Sequence, residues 1–146
     1  MIEMLIVMAI IGTLLAIALP ILQTALDKAR ITRAIGDIGA LQTDIAAFEA
    51  GGKGLPEALA DIDRSTLMDP WGNPYEYLNF HVDQGGGGPP PGGARKDRFL
   101  VPINSTYDLY SMGKDGESVA PLTAKTSKDD IVRANDGGFI GLAVRY

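Results

Sequence analysis

The chain has 146 residues, of which 46% are apolar, and it contains no cysteine. A length of this order supports one modest core, because domains usually hold about 100 to 200 residues. The chain has 13 Lys and Arg residues and 18 Asp and Glu residues, so its formal net charge is −5. It therefore lacks the excess of positive charge with which proteins bind a nucleic-acid backbone. We therefore expect no nucleic-acid partner, no disulfide and no thiolate zinc site.

An uncharged apolar run occupies the N-terminus from Met4 to Leu22. As a helix rising about 1.5 Å per residue, the run spans roughly 28 Å, close to the hydrocarbon thickness of a bilayer. A secretory signal peptide would need a basic segment before the run, and only three residues precede it here. A buried core helix would need more partner surface than the remaining residues, rich in glycine and proline, supply. We therefore predict a transmembrane or filament-core helix over residues 1–22.

The hydrophobic pattern changes after Pro20, which we expect to kink the helix or loosen a turn. Residues 23–52 are predicted to continue the helix in amphipathic form, because apolar residues recur at spacings near three and four until Gly51 and Gly52 stop it. The stripe comprises Leu22, Ala25, Leu26, Ala29, Ile31, Ile35, Ile38, Leu41, Ile45 and Phe48. We therefore predict that the apolar half of the helix protrudes as a stalk and that its striped half packs on a small globular head.

Glu3 stands out because it is a carboxylate at the edge of the apolar run. A charged group in this position raises the free energy unless it reaches water, a cation or a proton. One interpretation is a simple first-turn acid, stabilised by the free amides and positive dipole end of the helix. The other is that a positive charge from another chain, such as a terminal amine, meets Glu3 in an assembly.

In the head, residues 53–146, the predicted helices and strands are short. Helical turns are predicted at 56–60, and strands at 75–80, 98–101, 107–112 and, with more glycine, 138–146. The segment 84–94 is too rich in glycine and proline for regular structure, and we predict a surface loop there. The single histidine, His81, lies beside it and is interpreted as a surface or turn residue. Without a nucleophile that has a base nearby, we expect no enzyme.

Hard oxygen donors and glycines cluster in the segment 111–137. Calcium takes six to eight oxygens, often from glycine-rich turns, so this composition is compatible with a calcium site. The EF-hand spacing is absent. A solvated acidic loop with turn-forming glycines is the alternative, and composition alone leaves both open.

The sequence resembles the type IV pilin superfamily, and most closely the major pseudopilins of type II secretion systems. The resemblance covers nearly the whole chain apart from the glycine- and proline-rich loop. It rests on the N-terminal segment Ile2–Pro20, on DPWGNPYEY at Asp69–Tyr77, on YDLYSMGKDG at Tyr107–Gly116 and on DDIVRANDGGFIG at Asp129–Gly141. The last three motifs together favour the major pseudopilin over pilins with a C-terminal disulfide loop.

The resemblance implies an α+β fold and a filament subunit. Such subunits are held in the bacterial inner membrane with the head in the periplasm. They are then stacked helically into a homopolymer, a periplasmic or extracellular filament, with their N-terminal helices as its apolar core. The implied partners are other copies of the chain, minor pseudopilins, an inner-membrane assembly platform, a prepilin peptidase and, before assembly, membrane lipid. An extracellular type IV pilus-like filament for adhesion, motility or another surface role is the alternative.

The resemblance also implies roles for single residues. Glu3 takes the place of the family glutamate that attracts the terminal amine of an adjacent subunit, and Pro20 that of the proline around which the helix can melt in filaments. The family glutamate is fifth in the mature chain, after an N-methylated phenylalanine, whereas here it is third. We therefore expect leader cleavage and methylation, but neither is assigned to a residue of this numbering.

Calcium is the cofactor that the resemblance implies, because major pseudopilins carry the ion in their C-terminal loop. Their pattern places Asp115 and Asp130 as side-chain ligands, with Met112 giving a carbonyl oxygen. Asp129 is a rival for Asp130, and Ser118 is a further carbonyl donor.

Overall fold

The computed structural model describes residues 1–80 and 91–146. Its N-terminal part is one long α-helix, α1 (Ile2–Phe48), which widens into a π-helical turn at Glu49–Lys53. The chain leaves the helix at Gly52, whose positive φ of 77° suits glycine. The helix runs without a break from the apolar run into the striped half, and the chain turns away from it at the glycine pair.

The helix is not interrupted at Pro20, which lies within α1. Proline removes one backbone N–H donor and crowds the preceding turn. Even so, the residues on both sides keep their α-helical conformation, and the hydroxyl of Thr24 donates a hydrogen bond of 3.0 Å to the carbonyl oxygen of Pro20. The expected loosened turn is therefore not seen in this structure of the single chain.

Within the described residues, four strands form one antiparallel sheet in the order β1-β2-β3-β4. They are β1 (Tyr75–Asn79), β2 (Tyr107–Ser111), β3 (Ile131–Ala134) and β4 (Phe139–Leu142). The predicted α+β fold, a long helix on a small antiparallel sheet, is confirmed.

The strands predicted for the head differ from the structure in two places. The segment predicted as a strand at 98–101 contains a turn, in which Asp97 and Leu100 exchange backbone hydrogen bonds and Arg98 has a φ of 44°. A strand that we did not predict, β3, lies at the centre of the sheet. The remaining local elements are short 3-10 helices, at Leu59–Ile62, Lys125–Ser127, Asn135–Gly137 and Ala143–Arg145.

The core lies between the second half of α1 and one face of the sheet. Ala34, Ile38, Leu41 and Ile45 follow the spacing of a helix stripe, are at most 1% exposed, and cluster with buried residues of the head. Those partners are Leu59, Tyr75, Tyr107, Leu109 and Ile131. A second apolar cluster, which includes Val132 and Ala134 of β3, lies apart from the first. Since successive strand residues point to opposite faces, β3 contributes to both clusters.

Polar contacts also join α1 to the head. Lys114 Nζ lies 3.0 Å from Asp27 Oδ2, and Arg64 Nε lies 2.9 Å from Asp44 Oδ2. These exposed pairs add little stability on their own, but they lie at separate levels along the helix. Together with the apolar stripe they hold the head on residues 27–48 and leave the first part of α1 uncovered.

Candidate functional site

The apolar half of α1, residues 2–22, is an exposed apolar surface. Its large side chains are about half or more exposed around the whole circumference of the helix, and no residue of its most apolar window is buried. Soluble monomers rarely expose contiguous apolar surface on this scale, so such surface marks an interaction site. By length and composition the helix is able to cross a bilayer.

Glu3 lies in the first turn of α1 and is exposed. The backbone N–H groups of a first turn have no partner within the helix, so the site favours an anion. The carboxylate is thus positioned at the tip of the apolar half, where a cation of another molecule can reach it. Pro20, the other residue assigned to assembly, is exposed near the opposite end of the same surface.

The second candidate site is the loop that precedes β3. Its side chains are Asp115, Ser118, Asp129 and Asp130. Asp129 Oδ2 accepts hydrogen bonds from the amides of Lys114, at 2.9 Å, and Asp115, at 3.1 Å. Asp115 Oδ1 accepts one from the amide of Glu117 at 2.9 Å. Both carboxylates therefore serve as internal acceptors that shape the turn.

Asp130 is fully buried and faces Arg95, which is 2% exposed. Arg95 Nη2 lies 3.1 Å from Asp130 Oδ2, and it also donates to the hydroxyl of Ser118, which in turn donates to the same carboxylate oxygen. Arg95 Nη1 donates to the carbonyl oxygen of Val119. A buried ion pair of this kind is stable only with further hydrogen bonds around it, and here the hydroxyl and the carbonyl supply them.

Burial governs the titration of two carboxylates near Arg95. It raises the pKa of Asp130 to about 6, against the lowering effects of the Ser118 hydroxyl and the Arg95 charge. Burial likewise raises the pKa of Asp108, whose carboxylate accepts hydrogen bonds from the Arg95 amide at 2.5 Å and from Asn104 Nδ2 at 2.9 Å. Both groups depend on the donors around them to remain ionised inside the head.

The side chains assigned to calcium make other contacts in this arrangement. No three histidine or acidic side chains converge to hold a metal anywhere in residues 1–80 and 91–146. Asp115 and Asp129 bind backbone amides, and Asp130 with Ser118 binds the Arg95 guanidinium. Calcium takes six to eight oxygens, from carboxylates and backbone carbonyls. Calcium binding, with the Met112 carbonyl as a ligand, stays a prediction of the resemblance.

The turn before β1 is locked to the end of β2. Asp69 Oδ1 accepts from the amides of Trp71 and Asn73, both at 2.9 Å, which closes the turn around Pro70. Asp69 Oδ2 accepts from the Ser111 hydroxyl at 2.6 Å. The motif at Asp69–Tyr77 therefore has a structural role, as a turn that sets the start of the sheet.

The sequence analysis missed Arg95. It lies beside the glycine- and proline-rich segment, which we interpreted as a surface loop from 84 to 94, and it has no periodic apolar neighbours to mark it as buried. Residues 84–90 of that loop, and His81, lie outside the described residues, so those interpretations are untested. Residues 91–94 form a turn in which the Ala94 amide donates to the Pro91 carbonyl at 2.8 Å.

Comparisons with known proteins identify relatives of two kinds. The chain is 26% identical over 138 residues to the type II secretion system core protein G of Pseudomonas aeruginosa, covering 80% of this chain and 82% of that protein. It is 39% identical over 103 residues to fimbrial protein Q of Moraxella bovis, covering 68% and 66%. It is 32% identical over 86 residues to the type IV major fimbrial protein FimA of Dichelobacter nodosus, covering 59% and 54%.

The chain thus spans most of the secretion protein, about two thirds of one fimbrial protein and about half of the other. No protein-family model matches the chain. No solved structure matches it.

Proposed function

Because this chain belongs to the type IV pilin superfamily, as a pilin-like subunit of a pilus or pseudopilus, we propose that it polymerises through α1 into a filament of identical subunits. Nothing in the described part of the head suggests a catalytic role, and the names of the relatives are those of secretion and fimbrial proteins. We propose a structural subunit without enzymatic activity.

The observation that carries this proposal is the exposed apolar half of α1. An apolar helix can exchange lipid for identical neighbours with little change in hydrophobic free energy, because lipid chains and apolar side chains are alike. The same segment therefore suits two states, a membrane anchor before assembly and a packed core afterwards. The head is fixed to the other half of the helix and would cover the outside of such a filament.

Glu3 supplies the specificity that an apolar surface lacks. A carboxylate leaving water for an apolar filament core is unfavourable unless a positive group meets it. A terminal amine of the adjacent subunit is the proposed partner. Pairing would align neighbouring helices along the filament axis, and Pro20 is the proposed place at which the helix changes conformation on assembly.

In its finer form the proposal is the major pseudopilin of a type II secretion system, which drives export of folded proteins. The match to the secretion protein supports it, because that match extends over 80% of this chain. The proposed partners are minor pseudopilins, an inner-membrane assembly platform and a prepilin peptidase. The proposed location is the inner membrane with the head in the periplasm, and later a periplasmic filament.

A surface pilus is the second candidate function. The higher identity to fimbrial protein Q, 39%, favours it, although the match covers less of both chains. In this case the filament would leave the cell and serve adhesion, motility or another surface role. The two candidates share the subunit architecture and differ in whether the filament leaves the cell.

Substitution of Glu3 tests the assembly role. We expect Glu3→Ala to abolish filaments while the full chain remains folded in the membrane, as judged by its resistance to limited proteolysis. Glu49→Gln removes a carboxylate from the π-helical turn that follows α1, outside the apolar half, and filaments of normal number are expected from it. Normal filaments from Glu3→Ala would refute the assembly role of Glu3.

Shearing of producing cells separates the two finer candidates. Surface filaments are removed mechanically, and their main subunit is identified by mass, including the mass of its N-terminal peptide. If this chain dominates the sheared filaments, it is a pilus subunit. If it stays in the envelope while its deletion traps exported proteins in the periplasm, it is a pseudopilin.

A further inference from the structure

Arg95 is a permanent positive charge inside the head. Its side chain is 2% exposed, and an arginine guanidinium is a delocalised cation with five N–H donors and no acceptor. Such a group is tolerated in a core only when anions and carbonyl oxygens surround it. The oxygens that surround it come from Asp130, Ser118 and Val119.

The same residue is anchored to β2 from its other side. Its backbone amide donates to Asp108 Oδ2 at 2.5 Å, and its guanidinium carbon lies 3.5 Å from the centre of the Tyr110 ring. A planar guanidinium over an aromatic face gains both stacking and cation–π attraction. Arg95 thus joins three parts of the head, namely the segment after residue 90, strand β2 and the loop that precedes β3.

A bound divalent cation can cross-link loop segments in the same way, because its oxygen ligands come from several of them. The guanidinium binds three oxygens of this loop, namely Asp130 Oδ2, the Ser118 hydroxyl and the Val119 carbonyl. Asp130 Oδ1 is the one oxygen of that carboxylate left without a hydrogen bond in the structure. Asp115 and Asp129 each bind backbone amides through one carboxylate oxygen, and no three acidic or histidine side chains of residues 1–80 and 91–146 converge on one point, so the arrangement falls short of a calcium coordination shell.

We propose that the Arg95 guanidinium is the resident cation of this cluster and replaces a calcium ion in cross-linking the head. The positive charge is covalently part of the chain, so the cross-link forms on folding and does not depend on the supply of metal. The head keeps its stability in chelating or calcium-poor surroundings. The inference concerns the head alone and does not rest on the type of filament that the subunit forms.

Thermal unfolding of the full chain in detergent, followed by circular dichroism, tests the metal side of the proposal. We expect the same Tm in EDTA and in millimolar calcium chloride. A stabilising calcium site filled to about 100 times its Kd would instead raise Tm on the order of 10 °C. A calcium-dependent rise of that size in the unmodified protein overturns the proposal.

Substitution of Arg95 tests whether its guanidinium stabilises the head. Arg95→Met keeps most of the side-chain volume and leaves Asp130 without its cation, and we expect Tm to fall by on the order of 10 °C. Lys128→Gln is the matched control, because it removes one positive charge two residues from Asp130 but on an exposed side chain, and its Tm should change by no more than about 2 °C. An Arg95→Met protein as stable as the control contradicts the proposal.

A double variant keeps the test decisive if Arg95→Met does not fold. Adding Asp130→Asn removes the unpaired buried charge, so the double variant should recover a larger folded fraction than Arg95→Met alone. The folded fraction is measured by circular dichroism of the full chain in detergent. Further loss of folded protein in the double variant would mean that the two residues act independently, and the proposed cross-link would be wrong.

Discussion

The hydroxyl of Tyr75, on the first strand of the sheet, donates a hydrogen bond of 2.9 Å to Asp37 Oδ2 on the helix. The Tyr75 ring lies in the apolar core beside the helix stripe, and its polar tip is aimed at the Asp37 carboxylate. Burial raises the pKa of Tyr75 far above its usual value, and the hydroxyl therefore remains a donor. This contact ties strand β1 to the middle of α1.

We predict that Tyr75→Phe destabilises the protein by about 1 kcal/mol, because the ring packing is kept and one hydrogen bond is lost. The measurement is urea unfolding of the full chain in detergent. A double-mutant cycle with Asp37→Ala isolates the interaction, and the losses in the double variant should be less than additive. Strict additivity would show that the two side chains do not interact.

Ile38 and Ile21 provide a matched pair on one helix. Ile38 is fully buried against the sheet, whereas Ile21 is 65% exposed on the apolar half. Ile38→Ala should lower the free energy of unfolding by about 2 to 5 kcal/mol, since it leaves a cavity in the core. Ile21→Ala should change head stability by less than about 0.5 kcal/mol. Equal losses in the two variants would contradict the division of α1 into a packed and an unpacked half.

Gly113 is the glycine that the loop before β3 needs most. Its φ is +67°, and a Cβ there would lie 2.4 Å from the carbonyl oxygen of Asp129. Gly113→Ala should therefore destabilise the head by at least about 1 to 3 kcal/mol, from backbone strain and the clash together. Gly36→Ala, in the open interior of α1, should stabilise the chain by up to about 1 kcal/mol. Opposite signs of the two changes in urea unfolding are the expected result.

Ser111 links the end of β2 to the turn before β1. Its hydroxyl donates to Asp69 Oδ2 at 2.6 Å and accepts from the Gly113 amide at 3.1 Å, and the side chain is fully buried. Ser111→Ala leaves both partners without this hydrogen bond and should lower stability by about 1 to 3 kcal/mol. The exposed Ser65→Ala is the control. A loss no larger than that of the control would show that the turn is held by other contacts.

Hydrophobic periodicity accounts for how much of α1 could be predicted. An uncharged run needs no partner to be recognised, and a stripe with a spacing of three and four residues identifies the face that is buried. The strands at Tyr75 and Tyr107 were predicted for a similar reason, since aromatic and apolar residues between turn formers are a local signal. The segment 98–101 was also apolar, yet a turn at Arg98 prevents strand pairing there.

Strand β3 shows what local signals omit. Ile131 and Val132 are fully buried on opposite faces, and the charged Arg133 between apolar residues hides the alternation that would mark a strand. Arg133 is nevertheless buried, because its guanidinium binds Gln42 of α1 and lies over the Tyr107 ring. Such a residue is explained only by partners distant in the chain.

The long helix, its apolar half and the stripe that the head covers could be predicted from the order of residues along one element. The partners of the acidic loop could not, because they are distant in the chain. Arg95 and Asp130 are 35 positions apart, and their ion pair exists because the fold brings both into one desolvated space. A composition rich in carboxylates is compatible with a bound cation. Whether that cation is a metal or a side chain depends on which groups the packed chain places within reach.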